Sequence, residues 1–206
     1  RRSGKTSTQI GQIASFLTSV ARHWLKVDEV TLNQMRKLTS RVAVNQKGMT
    51  AKNRERLRPF NDDETVERLQ RLPGELRRLV ERSKQPPARK AIEAQKAAAI
   101  AILLVVPLRS KNLVGLDVEE HLIERDGRLY LVVPEQQVKN AHLIDFELPD
   151  DVTELLAWYV REYRPLLLRV PSNALFPGGG GGPKSAQTLA GQINKTVFKH
   201  TGLTVN

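Results

Sequence analysis

From Ala97 to Leu108 the chain runs AAAIAILLVVPL, twelve residues without one polar side chain, and then meets Arg109. The run is too short to cross a bilayer and too apolar all round for a surface helix. It must therefore lie in the core of a folded domain. An unpaired guanidinium at the end of a buried helix is costly, so Arg109 has to find a carboxylate, water or an anionic ligand. Thirty residues on, Lys139 is a second isolated cation, at the tip of an expected hairpin (LVVPEQQVKNAHLIDFELP). A planar guanidinium and a point-charge ammonium are the pair that suits a phosphate group.

The charge of the chain is lopsided. Residues 1–60 carry 13 Lys and Arg against three Asp and Glu, whereas the other 146 carry 20 against 19. A polyanion-binding module joined to a nearly neutral one fits that distribution, with nucleic acid as the partner. No segment is long and apolar enough to span a membrane, and no signal peptide opens the chain. There is no cysteine, which excludes disulfides, thiol catalysis and cysteine-zinc sites. The four histidines (His23, His121, His142, His200) are scattered, with no i,i+4 pair to chelate a metal. The first residue is Arg1 and the last Asn206, and the chain reads as a piece of a longer protein.

The first 85 residues have helical periodicity. Ile10, Ile13, Leu17, Val20, Ala21, Trp24 and Leu25 form one stripe, and Thr31 with Gln34 is a capping-box signature for a second helix. A third helix begins at Thr50; a fourth begins near Asp62 and bends at Pro73. SKQPPARK, residues 83–90, reads as a linker, because Pro86–Pro87 cannot continue a helix. A buried helix over 88–106 follows, then two strands joined by Asp126–Gly127, a third strand over 143–148, and a helix opened by Pro149–Asp150–Asp151. Pro171 to Pro183 is a loop with five consecutive glycines, lacking the Gly-Lys-Thr/Ser of a phosphate loop, and Ser185 caps a last helix. Trp24 and Trp158 sit at apolar helical spacing and are expected in the core. The expected fold is mainly α with a small antiparallel β-sheet, α+β.

Three segments, in order, resemble the catalytic domain of tyrosine recombinases, the phage-integrase family. LRSKNLVGLDVEEHL is similar to the first arginine box, so that Arg109 matches the first catalytic arginine and Leu113 and Leu116 its packing positions. QQVKNAHLIDFELP is similar to the hairpin in which Lys139 matches the catalytic lysine. SNALFPGGGGGPKSAQTLAGQINKTVFKHTGLTVN is similar to the stretch running up to the second box. The His-x-x-Arg of that box, a later His/Trp and the nucleophilic tyrosine are missing, and Asn112 stands where an acidic residue is common.

The resemblance implies a helical core-binding domain over 1–85 and a catalytic domain over 86–206, truncated before His-x-x-Arg. It implies site-specific recombination or integration of DNA, as in mobile elements, through a 3′-phosphotyrosyl intermediate. Arg109 would hold phosphoryl oxygens and Lys139 would protonate the 5′-oxygen, with no metal or cofactor. Among the helical residues, Lys47, Lys52, Arg54, Arg56 and Arg58 crowd one stretch and are expected to contact DNA. The partners implied are double-stranded DNA and further copies of the chain assembled on it, without a membrane. The location implied is the bacterial or phage-infected cytoplasm, at the nucleoid. These 206 residues alone are expected to bind DNA without cleaving it. Two other readings are a non-catalytic DNA-binding protein on a vestigial recombinase fold and a basic RNA-associated module.

Overall fold

The structure, a computed structural model, describes residues 8–43, 48–138 and 142–205. The chain forms two compact units, Arg1–Glu55 and Arg56–Asn206. In the first, helices α1 (Thr8–His23) and α2 (Glu29–Val42) pack as a hairpin, followed by α3 (Ala51–Leu57), which runs across the division. Ala21 and Leu32 are buried, and the hydroxyls of Thr18 and Thr39 meet at 2.8 Å beside the Ala14 carbonyl. Helix α2 starts a turn earlier than Thr31 would place it. Asp28 is the N-cap, its carboxylate accepting from both the backbone N–H and the hydroxyl of Thr31. Trp24 is 86% exposed, so the expectation of two core tryptophans holds for Trp158 and fails for Trp24. The physical reason is that Trp24 stands one residue past the end of α1, where the helical period no longer sets which way a side chain faces.

The second unit opens with a 3₁₀ turn, Arg58–Asn61, and α4 (Asp63–Arg82), whose N-cap Asp62 accepts from the Thr65 N–H. The expected bend at Pro73 does not end the helix. Pro73 lies inside it and is buried on the same face as Leu72, Leu76 and Val80. That face packs along α5 (Pro87–Val105), whose buried side is mostly alanine. Leu72, Leu76 and Val80 thereby join one continuous core with α5 and everything after it. This moves the division. The boundary expected at residue 85 falls inside the second unit, because residues 83–86 connect two helices of a single core rather than two domains.

Beyond α5 come a short α6 (Ser110–Val114) and a three-stranded antiparallel meander, β1 (Leu122–Arg125), β2 (Arg128–Val133) and β3 (Ile144–Glu147). Asp126 (φ 52°) and Gly127 (φ 75°) both adopt left-handed backbone, the two-residue turn that matches strand twist. On β2, Leu131 and Val133 face the core, while Tyr130 pairs across to Glu147 on the outer face. Helix α7 (Asp150–Trp158) continues into a π-helical turn, Tyr159–Tyr163, and a 3₁₀ turn, Arg164–Leu167. The buried Arg164 holds the following loop by donating to the carbonyls of Ala174 and Ser172. The glycine run is closed rather than open: the Gly178 N–H donates to the Gly182 carbonyl, and a Cβ on Gly178 would lie 3.1 Å from the Lys184 backbone. Ser185 caps α8 (Ala186–Thr201) as expected, accepting from the Thr188 N–H, and Gly202 (φ 73°) ends it.

Candidate phosphate site

Pro107 ends the buried helix. The residue before a proline is pushed to extended backbone, and Val106 adopts φ −125°, ψ 106° as the C-cap of α5. Leu108 is buried next in line, and Arg109, also extended, becomes the N-cap of α6, its carbonyl accepting from the Leu113 N–H at 2.9 Å. Leu113 and Leu116 are buried, so the backbone on both sides of Arg109 is anchored in the core while its side chain is exposed. The cation that the sequence singles out thus stands at the end of the buried run and at the surface.

Asp117 follows immediately. Its carboxylate accepts from the N–H groups of Glu119 (2.8 Å) and Glu120 (3.1 Å), turning the chain into β1. The segment is pinned to the loop before α8: the Leu175 N–H donates to the Leu116 carbonyl, and the Val118 N–H donates to the Asn173 carbonyl. His121, 2% exposed, bridges to the far side of the meander. Its Nδ1 accepts from the Asp117 N–H at 2.9 Å, and its Nε2 lies 2.9 Å from the Gln137 Oε1. The Gln137 carbonyl in turn accepts from the Asn112 side-chain amide, on the same short helix that Arg109 caps. The turn of Glu135–Gln137 between β2 and β3 is therefore held beside α6.

Lys139 lies outside the described residues, as does Lys47. Of the other expected DNA contacts, Lys52, Arg54 and Arg56 lie on α3 and Arg58 begins the 3₁₀ turn after it. Arg54 and Arg58 are exposed and Arg56 is half-buried. The division between the two units passes between Arg54 and Arg56.

Each of the three tyrosines is engaged by a hydrogen bond or a ring contact. Tyr159 is fully buried, donates to the Leu175 carbonyl at 2.9 Å and accepts from Gln95; burial pushes its phenol far up. Burial also raises Tyr163, whose ring packs 4.7 Å from Trp158. Tyr130 donates to Glu147, which raises the phenol and lowers the carboxyl. Among the described residues no group of three or more acidic or histidine side chains could hold a metal, and no helix is long and apolar enough to cross a membrane.

Two polar features are not foreshadowed by any sequence motif. One is the His121–Gln137 contact; the other lies under the glycine loop. There Gln95, fully buried, donates to Tyr159 and accepts from Lys184, which also donates to Gln192 at 3.2 Å. Burial, with Lys96 nearby, lowers Lys184 below the usual lysine range. Gln95 does carry one signal: it is a polar residue at a buried position of an alanine-rich helix.

The fold matches solved structures. Over 95% of its length the chain aligns with 55% of a XerH site-specific recombinase bound to difH substrate in a pre-cleavage complex, at TM-score 0.52 and 14% identity. It also aligns, over 70% of its length and 36% of the other chain, with XerH bound to a palindromic difH substrate in a post-cleavage complex, at TM-score 0.51 and 16% identity. The chain shares its fold with the matched part of XerH, a site-specific recombinase. It spans about half the length of the XerH chain that it matches over nearly all of itself. No protein-family model and no curated protein matches the sequence. Within the recombinase fold, the α-rich architecture with one small antiparallel sheet is as expected from the sequence.

Proposed function

We propose that these residues are the DNA-binding part and the leading catalytic part of a tyrosine recombinase. The observation that carries the reading is Arg109, exposed on an anchored cap at the end of a buried helix, within a chain that has this fold. XerH is seen on its difH substrate, which supports duplex DNA as the ligand here, and the excess of positive charge in residues 1–60 suits a polyphosphate.

In the proposed reaction a tyrosine hydroxyl attacks a DNA phosphodiester. The bond to the 5′-oxygen breaks, leaving a 3′-phosphotyrosyl bond and a free 5′-hydroxyl, and attack by another 5′-hydroxyl reverses the step on a new strand. Arg109, always charged and bidentate, stabilises the negative charge on the non-bridging oxygens. Lys139 gives its proton to the departing 5′-oxygen, a role the guanidinium cannot fill at its high pKa. The attacking tyrosine is none of Tyr130, Tyr159 and Tyr163, whose hydroxyls or rings are engaged as described above. Several copies would assemble on the DNA, in the compartment that holds it.

The test uses the 206-residue chain with a nicked suicide duplex. The expected result is salt-sensitive binding, weakened by about tenfold in Arg109→Ala, with no covalent protein–DNA band on a denaturing gel. A missing nucleophile and a missing second arginine each cost at least ~10²–10³ in rate. Absence of DNA binding overturns the reading. A covalent band lost on mutating one of the three tyrosines overturns the assignment of the nucleophile, and unchanged binding in Arg109→Ala favours a DNA-binding protein on a vestigial recombinase fold.

A further inference from the structure

We infer that the groove where α4 ends, α5 begins and α8 ends is a docking site for an acidic segment of a partner protein, one that carries a large aliphatic side chain. The groove is open, about 460 Å³ in volume, and lies wholly within the second unit. Four cations line it: Arg82 in the last turn of α4, Lys90 and Lys96 on α5, and Lys199 in the last turn of α8. They face a single carboxylate, Glu93, which pairs with Lys96 at 2.6 Å. Arg82, Lys90 and Lys199 form no ion pair among the described residues. Three positive charges are thus left over at one concave surface, and a segment with carboxylates complements them.

Helix stability accounts for only half of this charge. Arg82 and Lys199 stand at helix C-termini, where the dipole favours cations. Lys90 stands where it is disfavoured: with Arg89 it occupies the first turn of α5, which holds no acidic residue to offset them. A local rule broken at an open groove points to a ligand. The pairing with Glu93 does not silence Lys96 either, since after burial its charge is what holds Lys184 below the usual lysine range. The rest of the lining selects the kind of ligand. Leu76 and Val80, each 3% exposed, and Leu79, 54% exposed, give the groove an aliphatic wall. None of the described lining residues is Phe, Tyr or Trp, so bases of a single strand find no stacking platform. A duplex is too broad to enter, and a bare polyphosphate would gain nothing from the leucines. Carboxylates around an aliphatic anchor use both the cations and the wall.

The test reads fluorescence anisotropy of a short labelled peptide of glutamates around two leucines, titrated with the full chain at fixed low salt. The peptide should bind, and the double reversal Lys90→Glu/Lys199→Glu should weaken it by about tenfold or more. Arg161→Glu/Lys195→Glu changes the net charge equally at exposed positions outside the groove, and should cost less than about twofold. Leu79→Ser, and replacement of the peptide's leucines by glutamine, should each cost about threefold through lost apolar contact. Equal weakening by the two double reversals overturns the groove, and so does a chain that does not bind the peptide. A single-stranded oligonucleotide that displaces the peptide, and whose own binding is lost in Lys90→Glu/Lys199→Glu, overturns it in favour of nucleic acid. Should that double variant not fold, Leu79→Ser at its exposed position carries the test, and peptide affinity unchanged by it overturns the inference. Duplex affinity is measured in parallel, so this inference and the proposed function fail separately.

Discussion

Leu72→Ala decides whether α4 belongs to the core that follows it. Leu72 is fully buried, and Leu76 and Val80 beside it on α4 are each 3% exposed. Removing a buried leucine side chain costs the transfer term and leaves a cavity, together ~2–5 kcal/mol. For a cooperative unit of about 150 residues each kcal/mol shifts the melting temperature by roughly 2–4 °C, so a drop on the order of 5–15 °C is expected. The chain supplies its own probes, because it has two tryptophans and they lie one in each unit. In a Trp24→Phe background only Trp158 fluoresces, and its ring is 3% exposed with the Arg77 guanidinium of α4 5.4 Å from its centroid. The assay is the thermal unfolding of Trp158 followed by emission maximum, with far-ultraviolet circular dichroism as a second probe. A Trp158 transition at an unchanged temperature in Leu72→Ala would refute the single core. It would restore a boundary near residue 85, with α4 in the domain before it.

Lys184 should give the second unit a pH dependence at the alkaline end. Its folded-state pKa is lowered from 10.5, chiefly by burial, so between that lowered value and 10.5 the unfolded chain holds more protons and stability rises with pH. Over that window the Trp158 melting temperature should have a more positive slope against pH than in Lys184→Met, the raised Tyr159 and Tyr163 opposing it equally in both proteins; an equal slope in both proteins counts against the buried lysine. Ser185→Ala removes the N-cap of α8 and should destabilise the same transition by about 1 kcal/mol, against a few tenths for a change at an uncapped exposed site. Charge reversal at Lys47, Lys52, Arg54, Arg56 and Arg58, one at a time, should lower the slope of log affinity against log salt by about one for each DNA phosphate left without its cation. A series that leaves duplex binding unchanged removes this stretch from the DNA interface.

Features decided within a few residues were readable from the sequence. The Asp126–Gly127 turn, the Ser185 cap and the end of the buried helix near residue 106 follow from backbone sterics and local hydrogen bonding. The cap at Asp28 rather than Thr31 was a choice between two side chains three residues apart, in which the carboxylate takes both bonds Thr31 can offer. Other features depend on what lies across the fold. The spacing of Leu72, Leu76 and Val80 states that α4 has an apolar face but not which helix covers it, and only the alanine side of α5 settles that. Trp24 has the same periodicity as a core residue, yet the described residues of its unit leave it exposed. His121 and Gln137 are 16 residues apart and meet because β1 and β2 fold back on each other, while Gln95 reaches Lys184 across 89 residues. Periodicity and capping act along the chain and are written in it. Burial and long-range pairing act between segments, so they exist only once the tertiary structure has chosen each segment's neighbours.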